Sequence, residues 1–243
     1  FLNFLGKCAS PCQVVSVVKE MLLKADYSQI RLGDAAVKGV RRKTFFVRGG
    51  LIIAIDRPAT EASRVPIMLI AAHTDSPRFR LRPKSKLPEA EGLIEVAVQP
   101  YGGGLWHTWF DRDLTLAGVI AVCEDDGSVV RDRLLHIDDK PVCSIPSVAI
   151  HLNREQNRAF SPDMEKEMVP IVGLSIAGGP GDADASSVHE AKLIDCISRF
   201  TGIETKKIID FDLSLVPFEK PRIGGLNSDF IYSARLDNLF SSF

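Results

Sequence analysis

VPIMLIAAHTDSP, residues Val65 to Pro77, is the stretch that decides the expected fold of this chain. Its first eight residues, Val65 to Ala72, are mostly apolar and show no alternation between apolar and polar side chains. Such a run is typical of a strand that is buried on both faces, as in a parallel or mixed sheet covered by helices. We therefore predict a mixed-sheet α/β domain with this strand in its interior.

Two polar side chains, His73 and Asp75, follow the apolar run where the predicted strand leaves the sheet. Ligand sites in open α/β sheets form at that end of the strands. An imidazole there can bind a metal ion, and a carboxylate two residues later can hold the second ring nitrogen. The alternative is that His73 is a structural histidine that is only hydrogen-bonded. The pair by itself does not decide between the two.

The length and composition are those of an ordinary globular protein. The chain has 243 residues, of which 45% are hydrophobic and 25% charged, and its formal net charge is -1. This charge gives no reason to expect binding to nucleic acid or to an anionic membrane surface. No apolar run approaches the roughly 20 residues that span a bilayer, and we expect no signal peptide. The five scattered cysteines suit reduced thiols, so we expect a cytoplasmic protein.

Strand signals dominate the middle of the chain. From Arg78 to Lys86 basic residues alternate with other residues, which is typical of an extended segment with one solvated face. We predict further strands over 91–98, 113–122, 129–137 and 144–152, and no helix from about 79 to 170. These patterns indicate a β-rich domain inserted into the α/β domain. The predicted boundaries are 1–78 and 223–243 for the α/β domain and 79–222 for the insert.

Helix and turn signals flank this insert. Ser10 and Pro11 are typical of an N-cap and a first helical residue. Two β-rich runs, 44–47 and 51–55, are separated by an Arg-Gly-Gly turn and predict a hairpin. A later helical stripe ends at Gly202, and residues 208–216 are predicted to return as a strand.

A second chemical signal is the segment SARLDN, residues Ser233 to Asn238, in which Asp237 follows an apolar approach. If the insert returns the chain to the same sheet, Asp237 can lie beside His73. A carboxylate has two oxygens and can bridge two cations, as two-metal hydrolytic sites require. The alternative is that Asp237 only caps the next helix.

Four stretches together resemble the M18 metallopeptidases, the aspartyl aminopeptidase family. They are AAHTDSP at 71–77, YGGGLWHTWFDRDLTLAG at 101–118, IPSVAIHLNR at 145–154 and ARLDN at 234–238. The second stretch is long and highly specific. The resemblance covers nearly the whole chain from about Ser10.

This resemblance implies an enzyme that removes one amino acid from a peptide N-terminus, commonly aspartate or glutamate. It implies two zinc ions per subunit, for which manganese or cobalt can substitute. The metals would polarise the scissile carbonyl and activate a water, with a glutamate as general base. The β-rich insert would be a dimerisation domain, and the family assembles dimers into dodecamers.

The resemblance also assigns roles to single residues. His73 matches a ligand of one metal ion, Asp237 the bridging aspartate, and Asp75 the supporting catalytic aspartate. His151 matches a histidine that reaches into a neighbouring subunit's active site and contacts substrate. Considered alone, within the predicted strand 144–152, His151 would be interpreted as a packed histidine.

The chain departs from the family pattern after its Leu-Asp-Asn segment. The family continues well past that segment, and its Glu-Glu pair, a further aspartate ligand, the last histidine ligand and a basic residue that faces the acidic side chain lie there. Glu219 and Asp229 do not match any of them. Because the sequence does not start with Met and stops at Phe243, we expect a piece of a longer protein. The alternative function is a truncated, catalytically inactive form that acts only as an assembly or interaction partner.

Overall fold

The computed structural model describes residues 1–31, 42–58, 66–175 and 188–243, without the side chains of residues 131 and 132. The chain divides into two compact units. One, which we call the split unit, consists of Phe1–Ser76 and Lys220–Phe243; the other, the inserted unit, is Pro77–Glu219. The inserted unit thus begins at residue 77 and ends at 219, where the sequence predicts 79 and 222.

The helices and strands are numbered in chain order. The helices are α1 (Leu2–Lys7), α2 (Pro11–Lys24), α3 (Ala191–Thr201) and α4 (Leu236–Ser242). The strands are β1 (Ser28–Gln29), β2 (Lys43–Arg48), β3 (Leu51–Asp56), β4 (Arg78–Lys86), β5 (Leu93–Tyr101), β6 (Leu114–Cys123), β7 (Val129–His136), β8 (Ile171–Leu174), β9 (Ile208–Pro217), β10 (Arg222–Gly224) and β11 (Phe230–Tyr232). In the described ranges, no helix is long and apolar enough to cross a membrane.

The split unit contains a small mixed sheet. Strand β1 pairs in parallel with β2, and β2 pairs with β3 in the antiparallel hairpin that the sequence predicts. Helix α2 begins at Pro11 with Ser10 at its N-cap, also as predicted, although the Ser10 hydroxyl contacts the Gln13 side chain instead of the backbone. The core of this unit joins residues from both ends of the chain: Phe4, Leu5, Cys8, Val14 and Leu239.

The buried strand predicted over Val65–Ala72 is wrong for residues 66–72; Val65 lies outside the described residues. Residues 66–77 form no strand, and the side chains from Ile67 to Ile70 are 85% to 91% exposed. A run without alternation predicts burial only if other strands and helices cover it. Among the described residues no strand pairs with this run, so it remains an exposed apolar segment.

The inserted unit is built on a six-stranded antiparallel sheet in the order β7-β6-β9-β4-β5-β8. The strands predicted over 91–98, 113–122, 129–137 and 208–216 are all confirmed. The basic segment from Arg78 is β4, whose Phe79 and Leu81 are buried while the arginines point to the other face. At Gly118 in β6, a Cβ would lie 2.1 Å from the Asp212 carbonyl oxygen in β9, so only glycine fits.

Apolar side chains from the sheet and from α3 form the core of the inserted unit. Helix α3 ends at Gly202, which adopts φ 71° as the helix-ending pattern predicts. Trp106 and Trp109 lie in a short 3-10 helix, and their ring centroids are 4.8 and 5.2 Å from that of the buried Phe79.

The strand predicted over 144–152 is also wrong. Ser144 forms one isolated bridge with Ile171, and residues 150–152 form a turn. Ile145 is fully buried, but Pro146 has no amide hydrogen to donate to a neighbouring strand. The side chain of Asp111 accepts a hydrogen bond from the next amide, that of Ser147. These contacts direct the segment away from sheet pairing.

Candidate metal centre

His73 and Asp237 lie side by side in the split unit, as the sequence predicts. The Nε2 atom of His73 is 3.4 Å from the Oδ1 atom of Asp237. Both side chains can be reached from solvent, since 54% of the His73 side chain and 81% of the Asp237 side chain are exposed. An exposed imidazole and carboxylate at this separation can both turn their lone pairs toward one cation.

Asp75 lies on the other side of the same imidazole ring. The Nδ1 atom of His73 is 3.0 Å from the backbone oxygen of Asp75 and 3.3 Å from its Oδ1 atom. With the proton on Nδ1, this ring nitrogen donates to Asp75, and Nε2 keeps its lone pair on the side of Asp237. Such a partner fixes the tautomer that a metal ligand needs.

The spacing of the His73 and Asp237 ligand atoms fits one zinc ion. Zinc binds histidine nitrogen and carboxylate oxygen at about 2.0–2.2 Å in tetrahedral geometry, which places neighbouring ligand atoms roughly 3.3–3.6 Å apart. The observed separation of Nε2 and Oδ1, 3.4 Å, lies in that range. Two ligands do not fill a coordination shell, and no group of three or more candidate ligands is found among the described residues.

The backbone around Asp237 is irregular. Helix α4 has Arg235 at its N-cap, with φ 63°, and has no capping bond from a side chain. Asp237 and Asn238 have non-helical backbone angles, and the peptide bond between them is cis. The structure therefore gives no support to the alternative that Asp237 serves as a helix cap, and its carboxylate faces His73.

Three side chains that the sequence analysis did not single out contact the backbone at or near this site: two contact His73 and Asp237, and the third contacts helix α1. The hydroxyl of Ser76 donates to the Asp237 carbonyl oxygen at 2.6 Å, and that of Ser242 donates to the His73 carbonyl oxygen at 2.9 Å. The guanidinium of Arg235 donates from Nε to the Cys8 carbonyl oxygen and from Nη2 to that of Leu5. Ser76 lies in the stretch 71–77 and Arg235 in the stretch 234–238, both of which resemble the M18 family. This position within the motifs is the only sign of their role that the sequence contains.

Burial shifts two ionisable groups behind the site. It lowers the pKa of Arg235 to about 10, although the nearby Cys8 opposes the shift, so the guanidinium remains charged at neutral pH. Burial raises the pKa of the Cys8 thiol to about 12, so this thiol is protonated at neutral pH. Cys8 is therefore a packing residue in this environment and is not a nucleophile.

His151 belongs to the inserted unit, whereas His73, Asp75 and Asp237 belong to the split unit. It is exposed in the turn 150–152, and not packed in a strand. The segment before it is fixed by Asp111, which accepts bonds from the Ser147 amide at 2.8 Å and the Ser147 hydroxyl at 2.5 Å. These bonds lower the pKa of the Asp111 carboxyl, so it stays ionised.

Two relatives in sequence carry an aminopeptidase name. Aspartyl aminopeptidase 1 of Schizosaccharomyces pombe is 45% identical over 183 residues, which are 72% of this chain and 38% of that protein. The aspartyl aminopeptidase of Aspergillus oryzae is 36% identical over 270 residues, which cover 100% of this chain and 53% of that protein. The chain thus spans about half the length of the curated relatives it matches.

Solved structures agree with this likeness. A chain in the cryo-EM structure of the Ape4 and Nbr1 complex is 36% identical with a TM-score of 0.90; the match covers 98% of this chain and 47% of that one. The mApe1 of Chaetomium thermophilum is 31% identical with a TM-score of 0.85, and the match covers 98% and 54% of the two chains. The S. cerevisiae mApe1 dodecamer, 23% identical with a TM-score of 0.73, shares the fold; the match covers 98% and 52% of the two chains.

A family model gives the same result over almost the entire sequence. The model for the aminopeptidase I zinc metalloproteases, M18, matches residues 4–243. The mixed α/β fold, the match of this model and the relatives agree, and the chain belongs to the M18 family of zinc metallopeptidases.

Proposed function

We propose that this chain carries part of the active site of a zinc aminopeptidase that releases aspartate or glutamate from peptide N-termini. The observation that supports it most directly is the 3.4 Å separation between His73 Nε2 and Asp237 Oδ1 in a zinc metallopeptidase family. Relatives that cover the whole chain are named aspartyl aminopeptidases, which supports the preference for acidic residues.

In this proposal each of the three polar residues has a separate role. His73 would hold one zinc ion through Nε2, because its Nδ1 faces Asp75. Asp237 offers two carboxylate oxygens and would help to hold two ions. Asp75 positions the imidazole and raises its basicity through the ring nitrogen that does not bind metal.

The proposed cofactor is two zinc ions per subunit, with manganese or cobalt as substitutes. When bound, these ions supply Lewis-acid polarisation of the scissile carbonyl and lower the pKa of an attacking water. His73 and Asp237 would help to hold these ions, and both side chains are exposed to solvent. We assign the general base and the remaining ligands to no residue of this chain.

We further propose that the inserted unit is a dimerisation domain and that the protein self-associates, with dimers as building blocks. His151 would then contact the substrate in a neighbouring subunit's site. Its exposure in a segment held by Asp111 suits a contact that reaches outward. A solved structure with the same fold is a dodecamer. We also propose that the protein of this chain is located in the cytoplasm.

A second candidate is a catalytically inactive form that serves only as an assembly or interaction partner. It is favoured by the lack of a group of three candidate ligands among the described residues. The two candidates differ in one respect that is easily measured, because only the enzyme releases an amino acid from a peptide.

The test uses a protein that contains this chain together with the unassigned ligands and general base. It compares hydrolysis of two peptides that differ only in an N-terminal Asp or Lys, at fixed zinc concentration. We expect release of Asp and much slower release of Lys. His73→Gln or Asp237→Asn should lower kcat by at least about 100-fold, because each removes a metal ligand. His107→Gln, at an exposed histidine of the inserted unit, is the matched control and should leave kcat unchanged. No release of Asp by the unsubstituted protein would overturn the proposal and favour the inactive form.

A further inference from the structure

We propose that Ser76, Ser242 and Arg235 are positioning residues that hold His73 and Asp237 at metal-binding distance. This inference rests on the proposed function and concerns the backbone behind the two ligands. Neither ligand is fixed by a regular element, because residues 66–77 form no strand and Asp237 has non-helical backbone angles. Other contacts must therefore hold the two segments together.

The two serines link the segments in a reciprocal way. Ser76 lies three residues after His73, and its hydroxyl donates to the carbonyl oxygen of Asp237 at 2.6 Å. Ser242 lies five residues after Asp237, and its hydroxyl donates to the carbonyl oxygen of His73 at 2.9 Å. Each segment thus supplies a donor to the backbone of the other segment's ligand. A sliding motion of one segment past the other would break both bonds.

Arg235 fixes the Asp237 segment to a third element. Its Nε and Nη2 atoms donate to the carbonyl oxygens of Cys8 and Leu5, at 3.1 and 3.4 Å, at the C-terminal end of helix α1. The last carbonyl groups of a helix lack partners within the helix and attract a cation. The planar fork of arginine reaches two of them at once, which a lysine ammonium on a flexible stem does not match.

Two features of Arg235 favour a role in positioning over a role in stability alone. Its backbone has φ 63°, a left-handed conformation that is unfavourable for a residue with a Cβ. Its Nη1 atom is shielded from solvent and has no hydrogen-bond acceptor among the described residues. Strained backbone and unsatisfied buried donors are features that proteins retain mainly where function requires a particular geometry.

The first test measures zinc affinity and not turnover. Ser76→Ala, Ser242→Ala and Arg235→Lys are titrated with zinc in a competitive chelator assay, beside Ser233→Ala. Ser233 is the matched control because its hydroxyl donates to the adjacent Ala234 carbonyl oxygen at 2.8 Å and does not link the segments. We expect affinity losses of about 10–100-fold for the three variants, as for other residues that position metal ligands, and less than twofold for the control.

The second test uses the metal-free protein and separates this inference from the proposed function. Amide hydrogen exchange at residues 238–240 should be at least about tenfold faster in Ser76→Ala than in Ser233→Ala, while core amides of α2 remain unchanged. Unchanged exchange, or zinc affinity equal to that of the unsubstituted protein, would overturn the positioning role. If the unsubstituted protein itself bound no zinc, the proposed function would fail, and the exchange data alone would decide whether the three residues hold the segments together.

Discussion

An apolar run in the inserted unit and another in the split unit have opposite environments. In the inserted unit, strand β6 is paired on both edges, and its residue Leu116 is 1% exposed. In the split unit, Leu69 lies in an equally apolar run but is 87% exposed. The two leucines therefore differ in their surroundings, although the sequences around them predict strands alike. The comparison teaches that an apolar run becomes a buried strand only where partners cover it.

The largest expected effect is a difference in the free energy of unfolding when each of these two leucines is replaced by alanine. Leu116→Ala should lower the free energy of unfolding by about 2–5 kcal/mol, because it leaves a cavity in a packed core. Leu69→Ala should change it by less than about 0.5 kcal/mol, since the side chain is already in water. Urea unfolding followed by circular dichroism measures both. A loss above about 2 kcal/mol for Leu69→Ala would show that the run is buried in the protein, and would contradict this comparison.

The next effect is the pH dependence of the stability of the inserted unit, to which the buried His189 belongs. This histidine is 8% exposed, its Nδ1 atom is 2.9 Å from the Ser85 hydroxyl, and its ring packs on Phe211. Burial lowers its pKa below the ordinary 6.5, although the Asp210 carboxylate, 3.6 Å from Nε2, opposes the shift. The unfolded chain therefore takes up a proton before the folded chain does. Stability should fall as the pH drops below about 6.5, by at most about 1.4 kcal/mol per pH unit.

Tryptophan fluorescence tests this prediction in the inserted unit alone, because both tryptophans of the chain, Trp106 and Trp109, lie there. Unfolding is compared at pH 7.5 and pH 5.5 for the unsubstituted protein, His189→Gln and His107→Gln. His189→Gln should have the smaller pH dependence, and His107→Gln should behave like the unsubstituted protein. Equal pH dependence in all three proteins would rule out His189 as the source.

The smallest effect is expected at Asp111, which resembles Arg235 in having positive φ and side-chain bonds to a distant segment. Asp111→Asn keeps one acceptor oxygen but loses the charge. The free energy of unfolding should therefore fall by about 1 kcal/mol or less. The exchange of the Ser147 amide should become faster. Asp113→Asn, at an exposed neighbour, is the control. An unchanged exchange rate of the Ser147 amide hydrogen would mean that Asp111 does not fix the segment before His151.

Much of the inserted unit could be predicted from the sequence because its signals are local. The strands at 113–122 and 129–137 are separated by an Asp-Asp-Gly turn, and β6 and β7 pair across it. A hydrophobic run that is bounded by turn residues can be predicted as a strand from its own residues alone. The strand predicted over 144–152 failed because Pro146 and the bond from Ser147 to Asp111 outweigh the apolar composition.

The candidate site could be predicted only in part. His73 and Asp237 were found through their motifs, and the structure brings them together. Ser76, Ser242 and Arg235 were missed because their partners are between 161 and 230 residues away in the chain. The left-handed backbone of Arg235 has no signal in a sequence, where such a conformation is expected at glycine or asparagine. The metal, catalytic and substrate roles of His73, Asp75, Asp237 and His151 stay predictions.

The most direct test of the central claim, that His73 and Asp237 bind zinc, is the zinc content per chain after dialysis of the purified protein. In a protein that also supplies the ligands not assigned to this chain, we predict close to two zinc ions per chain, a clear loss in His73→Gln and Asp237→Asn, and no loss in His107→Gln. Zinc close to zero in the unsubstituted protein would contradict the account, because these two ligands would then not hold the metal.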